Sequence, residues 1–270
     1  MKLLSAPDLL KAGHTEPGWL IDDFWPAGAK GWIAGPPKSM KSMLAMALAY
    51  AVAADRPFLG QLPQTAPRPV LYIQSEMPEW LVADRLAKLA ESHDDINPPL
   101  HAAEGGIYAF DFSSLNIAHR LHFLWPDPAR LMTGALLTDI TAAIRQVKPI
   151  LIIIDPLYSF TNSDMVSNSE IHPILAWLDR IKQIADEVAS EPTSLAVVHH
   201  NAKASKTAAG KAMLGSVFLH GWAESAWYVK PTSAGSAVHR EFRAYPPLPP
   251  ITCQFGISRP GKFGFNLKAR

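Results

Sequence analysis

Short apolar segments alternate along the chain with longer segments of helical periodicity. The apolar runs predict strands at 30–34, 70–73, 150–154 and 195–198, and the periodic segments predict helices at 42–54, 78–92, 134–147 and 168–190. The last two strand segments contain no polar residue, which is typical of central parallel strands covered on both faces. Alternation of strands and helices predicts an α/β fold of three layers with a mostly parallel central sheet.

The pattern changes towards both ends of the chain. Beyond residue 222, Pro and Gly turns separate short segments that predict strands at 226–230, 238–245, 251–257 and 262–267. We expect these strands to extend the sheet in antiparallel fashion. The first 29 residues show little periodicity and are predicted to form an N-terminal arm, laid over the domain or over a neighbouring subunit. Residues 30–270 are predicted to form a single domain.

Composition narrows the class of protein. Hydrophobic residues make up 48% of the chain and charged residues 18%, which excludes a disordered chain. No apolar run approaches the roughly 20 residues that cross a bilayer, so we expect no membrane partner. The single cysteine, Cys253, excludes an internal disulfide framework, and the first residues lack a signal-peptide pattern. These features predict a cytoplasmic protein.

Charge is divided unevenly along the chain. Residues 198–270 contain ten Lys or Arg and two acids, a net charge of +8, whereas the whole chain has a net charge of +1. Such a split indicates a surface that faces a polyanion. The alternative is solvated charge spread over several strands, and the sequence leaves both interpretations open.

A candidate phosphate loop lies between the first predicted strand and the first predicted helix. Its residues are Gly35, Pro36, Pro37, Lys38, Ser39, Met40, Lys41 and Ser42. Backbone amides at a helix N-terminus can wrap phosphates, with Lys41 neutralising them and the Ser42 hydroxyl ligating Mg²⁺. The alternatives are a turn with two chance lysines and a loop that binds nucleotide without catalysis.

Two positions in this loop raise separate questions. Met40 stands where the usual motif has its second glycine, and we expect it to adopt ordinary backbone angles. Lys38 either contacts the γ-phosphate or points to solvent.

Acidic residues follow two of the predicted strands. Glu76 is the candidate general base that activates water, with the capping of the next helix as the alternative. Asp155 ends the most apolar run and is predicted to hold a magnesium-bound water beside the phosphates, since an unpaired buried carboxylate would be costly. ATP and Mg²⁺ are therefore the predicted cofactors.

Adjacent histidines close the fourth predicted strand. Neighbouring residues on a strand face opposite ways, so only one of them can face the site, and we favour His200 as a hydrogen-bond partner of the γ-phosphate. His199 and His200 cannot converge on one metal ion, which disfavours zinc.

The order of these motifs resembles the RecA-type P-loop ATPases, and within them the hexameric helicases of the plasmid RepA type. The resemblance covers approximately residues 20–265 and rests on GPPKSMKSMLAMALAYAVA, RPVLYIQSEMPEW, ILIIIDPLYSF, LAVVHHNAKAS and GKAMLGSVFLHGWAESAWYV. It implies a RecA-like ATPase domain over residues 30–270. It also implies that Lys41, Ser42, Glu76, Asp155 and His200 serve ATP and magnesium.

The resemblance further implies a homo-oligomer, a hexamer, with single-stranded DNA in a central channel. The loop after the histidine strand would line that channel with Lys203, Lys206 and Lys211. Relatives commonly carry an arginine finger in the segment that matches residues 214–227, but this stretch contains no Arg or Lys. Arg259 and Lys262 are therefore the candidates to reach a neighbouring subunit's ATP.

These features lead to a first hypothesis and two alternatives. The first is a ring-forming ATPase that moves along single-stranded DNA, such as a phage or plasmid replicative helicase. The second is a nucleotide-switched module that binds DNA or loads and regulates other DNA proteins without unwinding. The third, a P-loop small-molecule kinase, usually has an arginine-rich lid, and the sequence contains no comparable cluster.

Overall fold

A computed structural model describes residues 4–11, 18–93, 117, 119–127, 132–161, 168–200, 217–233, 235–259 and 262–267. The helices are α1 (Ala6–Lys11), α2 (Lys41–Ala54), α3 (Glu79–Ser92), α4 (Gly134–Val147), α5 (Asn168–Val188) and α6 (Val217–Trp222). A short 3-10 helix covers Leu157–Phe160. The strands are β1 (Trp19–Ile21), β2 (Trp25–Pro26), β3 (Lys30–Gly35), β4 (Val70–Gln74), β5 (Leu121–Leu124), β6 (Leu151–Asp155), β7 (Ser194–His200), β8 (Ser225–Thr232), β9 (Gly235–Phe242), β10 (Ile251–Arg259) and β11 (Lys262–Leu267).

A nine-stranded sheet forms the centre of the molecule, in the order β11-β10-β9-β8-β3-β7-β6-β4-β5. The strands from β8 to β5 in this order run parallel to one another. The remaining three strands continue the sheet in antiparallel pairs. Since the carboxyl ends of the parallel strands share one edge, the last residues of β3, β4, β6 and β7 meet there.

Apolar cores cover both faces of the sheet, as its all-apolar strands require. On one face, α2 and α3 pack against side chains that include Tyr72, Ile153 and Val198. On the other face, α4, α5 and α6 pack against neighbouring residues of the same strands, among them Ile152 and Val197. The alternation of side chains along each strand thus produces the three layers.

The predicted α/β class is confirmed, and so is the mostly parallel sheet with its antiparallel extension. The strand predicted at 226–230 differs in one respect, because β8 runs parallel to β3 and only its other edge pairs antiparallel, with β9. The part of the predicted arm from residue 18 onward forms a small β1–β2 hairpin. Leu20, Ile21 and Trp25 of this hairpin are fully buried in the core on the α2 face.

The helices of the described residues include none that is both long enough and apolar enough to span a membrane.

Candidate phosphate-binding site

Residues 35–42 connect β3 to α2 at the carboxyl edge of the sheet. Gly35 permits a close approach there, because a Cβ atom at this position would lie 2.4 Å from the Val229 carbonyl oxygen and 2.8 Å from Ser39 Oγ. Ser39 is buried, and its carbonyl oxygen accepts a hydrogen bond of 3.2 Å from Ser236 Oγ on β9. The parallel strand β8 and the antiparallel strand β9 therefore both hold the loop in place.

Met40 adopts the left-handed conformation, with φ 70° and ψ 15°, so the expectation of ordinary backbone angles is wrong. The loop turns sharply into α2 at this residue, and the turn requires the angles that a glycine adopts without a steric penalty. Lys38 also has a positive φ, of 61°, and its side chain is exposed. Within the described residues, Met40 provides no side-chain cap for α2, which leaves the first amides of the helix available to an anion.

Lys41, the first residue of α2, is only 3% exposed. Its Nζ donates a hydrogen bond of 2.8 Å to the carbonyl oxygen of Pro36, so the ammonium lies inside the curve of the loop. Burial lowers the pKa of Lys41 to about 8, although the charges of Asp155 and Glu76 act in the opposite direction. A phosphate at this position would favour the charged form of the lysine.

Asp155 is 1% exposed at the end of β6 and accepts two hydrogen bonds. Ser42 Oγ donates to Oδ1 over 3.0 Å, and the buried Tyr72 hydroxyl donates to Oδ2 over 2.5 Å. Burial raises the pKa of Asp155, while these hydrogen bonds and the charges of Arg85 and Lys41 oppose the shift. A desolvated carboxylate beside a serine hydroxyl is a pair of hard oxygen ligands, which suits Mg²⁺.

Glu76 follows β4 at the same edge of the sheet and is exposed. Partial desolvation and the charge of Asp155 raise the pKa of its carboxyl group, and the charge of Lys41 lowers it. Glu76 thus lies within electrostatic reach of both residues. The α3 helix begins three residues later, at Glu79, and among the described residues no α3 amide donates to the Glu76 carboxylate.

His199 and His200 lie on opposite faces of the sheet. His200 is next to Gly35 in the β3–β7 pairing and shares the α2 face with Val198. Its ring meets that of Tyr158 edge-on, with 5.1 Å between the centroids. Burial and the nearby Lys41 charge lower the pKa of His200 to about 4, so its imidazole is neutral at pH 7.

His199 has a different environment. It is 4% exposed and packs against Trp32, with 5.8 Å between the ring centroids. Burial is the main cause that lowers its pKa to about 4. The charges of His200 and Lys41 also lower this pKa, although His199 lies on the α4–α5 face, opposite to the face of the phosphate loop.

For five of the predicted residues, the described part of the chain does not test a place in this site. Lys203, Lys206 and Lys211 lie outside the described residues. Arg259 and Lys262 are backbone partners in the register of the β10–β11 hairpin, and β11 lies against α3, the helix that follows Glu76.

The sequence interpretation missed Tyr72 and Gln74. Both lie on the same face of β4, and the structure places both in contact with residues of the site. The signal that could have identified them is the alternation of polar-tipped side chains in the segment Val70–Gln74, which otherwise contains only aliphatic residues.

Comparison with known proteins agrees with this architecture. The model of the AAA_25 family of AAA domains matches residues 2–206 of the chain. The chain is also similar to the solved structure of a KaiC-like protein from the hyperthermophilic archaeon Pyrococcus horikoshii OT3, with a TM-score of 0.53 and 12% sequence identity. That match covers 94% of this chain and 98% of the other, and it confirms the predicted RecA-like fold. No curated protein matches the chain.

Proposed function

Because the chain belongs to the AAA_25 family of AAA domains and has a RecA-type P-loop ATPase fold, we propose that it hydrolyses ATP to move along single-stranded DNA. In this proposal it acts as a hexameric ring, as a phage or plasmid replicative helicase does. The observation that carries the proposal is the convergence of Lys41, Ser42 and Asp155 at one edge of the sheet, with Glu76 within electrostatic reach.

The loop residues 35–42 hold the phosphates in this proposal. The free amides at the start of α2 and the Lys41 ammonium provide positive charge inside a nearly closed curve of backbone. Ser42 and Asp155 are the residues that would hold Mg²⁺, which when bound neutralises charge on the phosphates. Tyr72 keeps one oxygen of Asp155 in a fixed position.

Glu76 accepts a proton from the attacking water. Its raised pKa brings the carboxylate nearer to the operating pH, which favours general-base catalysis. His200 donates a hydrogen bond to the γ-phosphate as a neutral imidazole, because its pKa of about 4 keeps it uncharged at pH 7.

The charge distribution supports the DNA partner. The net charge of +8 beyond residue 198 includes Lys203, Lys206 and Lys211, which lie in one segment directly after β7. In a ring, this segment of each subunit contacts the phosphate backbone of one strand. Arg259 or Lys262 reaches the ATP of the adjacent subunit.

Replacement of Glu76 tests the catalytic part of the proposal. Glu76→Gln should retain ATP binding and slow phosphate release by about 10²-fold or more, because glutamine keeps the shape but cannot accept a proton. Glu79→Gln is the matched control, since Glu79 is an exposed acid three residues away and should leave turnover unchanged. Wild-type turnover in Glu76→Gln would remove Glu76 from catalysis.

A strand-separation assay tests the motor part. A helicase should unwind a forked duplex with ATP and Mg²⁺ and lose this activity in Glu76→Gln. ATP hydrolysis and DNA binding without any unwinding would support the loading or regulatory module instead. A phosphorylated small molecule in place of free phosphate would indicate a kinase.

A further inference from the structure

The side chain of Gln74 organises the segment that carries Glu76. Gln74 is the last residue of β4 and is fully buried. Its Oε1 accepts hydrogen bonds from three successive backbone amides, those of Ser75 at 2.8 Å, Glu76 at 2.7 Å and Met77 at 3.1 Å. Three converging donors also fix the orientation of the amide group, because the reversed group would set an NH₂ against three N–H groups.

The same turn is held from its other side. The Trp125 indole donates a hydrogen bond of 2.9 Å to the carbonyl oxygen of Met77. The Ser75 amide also lies 3.3 Å from the carbonyl oxygen of Asp155. These contacts tie the turn both to β6 and to the segment after β5.

Gln74 is next to Asp155 in the β4–β6 register and shares the sheet face of Tyr72. This is the face on which the phosphate loop lies. Gln74 Nε2 is buried and, within the described residues, has no hydrogen-bond partner. A buried donor without a partner destabilises the fold. An amide at this position therefore indicates that its carbonyl oxygen has a role that an apolar side chain could not fill.

We propose that Gln74 is a positioning residue for Glu76, whose side-chain carbonyl folds residues 75–77 so that the Glu76 carboxylate faces the phosphate loop. The inference rests on the proposed role of Glu76 as general base. Gln74 acts through the backbone of the turn and leaves ATP binding to residues 35–42 and Asp155. Loss of its carbonyl should therefore reduce turnover far more than affinity, because small displacements of a catalytic group lower rates strongly.

Gln74→Met is the first test, because methionine has a similar length and cannot accept the three hydrogen bonds. We expect ATP hydrolysis to slow by about tenfold to 10²-fold, with the affinity for ATP in the presence of Mg²⁺ changed less than about threefold. Thr193→Val is the matched control, since it removes a buried hydrogen bond of 2.9 Å from the Thr193 hydroxyl to the Pro149 carbonyl oxygen. This bond lies at the amino ends of the strands, away from the candidate site. Thr193→Val should change stability without changing turnover.

The double variant separates positioning from general structural damage. If Gln74 acts through Glu76, then Gln74→Met in the Glu76→Gln background should cause little further loss of turnover. If the double variant loses turnover by the product of the two single losses, the inference is overturned. Wild-type turnover in Gln74→Met would also overturn it. Wild-type turnover in Glu76→Gln alone would instead overturn the proposed base, so the two failures are distinguishable.

Gln74→Glu keeps the inference testable if Gln74→Met does not fold. Glutamate retains an acceptor for the three amides and adds a negative charge near Glu76, which already faces Asp155 on β6 and Lys41 on α2. The added charge should move the acid limb of the pH–rate profile to higher pH. An unchanged profile in a folded Gln74→Glu protein would contradict the placement of Gln74 beside the base.

Discussion

At the scale of single residues, the site combines buried charges that burial alone would disfavour. Lys41 and Asp155 are almost fully buried at the same edge of the sheet. Burial lowers the pKa of Lys41 and raises the pKa of Asp155, so it favours the neutral form of each. A bound phosphate and a bound cation would restore the charged forms. The residues are thus complementary to a metal–phosphate pair.

The pKa of Lys41 predicts how ATP affinity depends on pH. Below about pH 8 the Lys41 amine is already protonated. Above this pH the amine is neutral and must gain a proton when ATP binds. Affinity should therefore be nearly constant from pH 7.5 to about pH 8 and then fall towards tenfold per pH unit, as measured by titration with ATP and Mg²⁺. Lys38→Ala should retain this dependence, and Lys41→Ala should bind no detectable ATP. A flat affinity up to pH 9.5 would contradict the buried lysine.

Met40 leads to a prediction about stability. Its left-handed backbone costs a non-glycine residue about 1–2 kcal/mol, and the greater freedom of glycine in the unfolded chain offsets part of this. Met40→Gly should therefore raise the free energy of unfolding by up to about 1 kcal/mol, whereas Met40→Val should lower it.

Met43→Gly is the matched control, because Met43 lies inside α2, where glycine destabilises by about 1 kcal/mol. Urea denaturation measures all three variants. Equal destabilisation by glycine at positions 40 and 43 would show that Met40 does not have the left-handed conformation.

At the scale of elements, the phosphate loop depends on strands that are distant in the sequence. Gly35 lies against β8, and Ser39 accepts a hydrogen bond from Ser236 of β9. The antiparallel extension therefore supports the candidate site as well as widening the sheet.

Gly35→Ala tests this packing. The new Cβ would lie 2.4 Å from a backbone oxygen of β8, so the strand or the loop must move, at a cost of about 1–3 kcal/mol. Weakened ATP binding should accompany the loss of stability. Gly134→Ala is the control, because a Cβ there meets no atom within 4 Å and alanine favours the helix. Equal stability of the two variants in urea denaturation would contradict the close approach of Gly35.

The long elements were predictable from the sequence because they show either a helical periodicity of apolar residues, as in α4 and α5, or a continuous apolar run, as in α2 and β6. The helix predicted at 134–147 has the bounds of α4, and the strand predicted at 70–73 differs from β4 by one residue. The shorter elements β5 and α6 were missed, since four to six residues of mixed polarity carry little periodic signal. The parallel direction of β8 depends on pairing with β3, almost two hundred residues earlier, and no local pattern encodes it.

The places of the candidate site residues could be predicted where a charged residue follows an apolar strand or begins a helix. Apolar strands and a helix start predict that Asp155, Glu76 and Lys41 lie at one edge of the sheet, and the structure places them there, while their roles stay predictions. The angles of Met40 and the contacts of Gln74 were not predicted, since they depend on how the chain turns after each strand. Which residue reaches a neighbouring subunit stays a prediction for Arg259 and Lys262.

At the scale of the whole molecule, the basic part of the chain predicts a salt-dependent contact with DNA. Replacing Lys203, Lys206 and Lys211 with alanine should lower affinity for single-stranded DNA and reduce the slope of log affinity against log salt, because fewer counterions are released. ATP binding should remain.

A variant with equal loss of charge provides the control for this experiment. Lys11, Lys88 and Lys182 lie on helices outside the candidate site, and their replacement with alanine should leave DNA affinity nearly unchanged. Equal effects of the two triple variants on DNA affinity would assign the basic residues to general surface charge.

The most direct test of the proposed function is the rate of phosphate release from ATP, measured with Mg²⁺ in the presence and absence of single-stranded DNA. We expect hydrolysis above the background of Lys41→Ala, a marked increase on addition of DNA, and loss of that increase in Glu76→Gln. Phosphate release no faster than in Lys41→Ala, with or without DNA, would contradict the proposal.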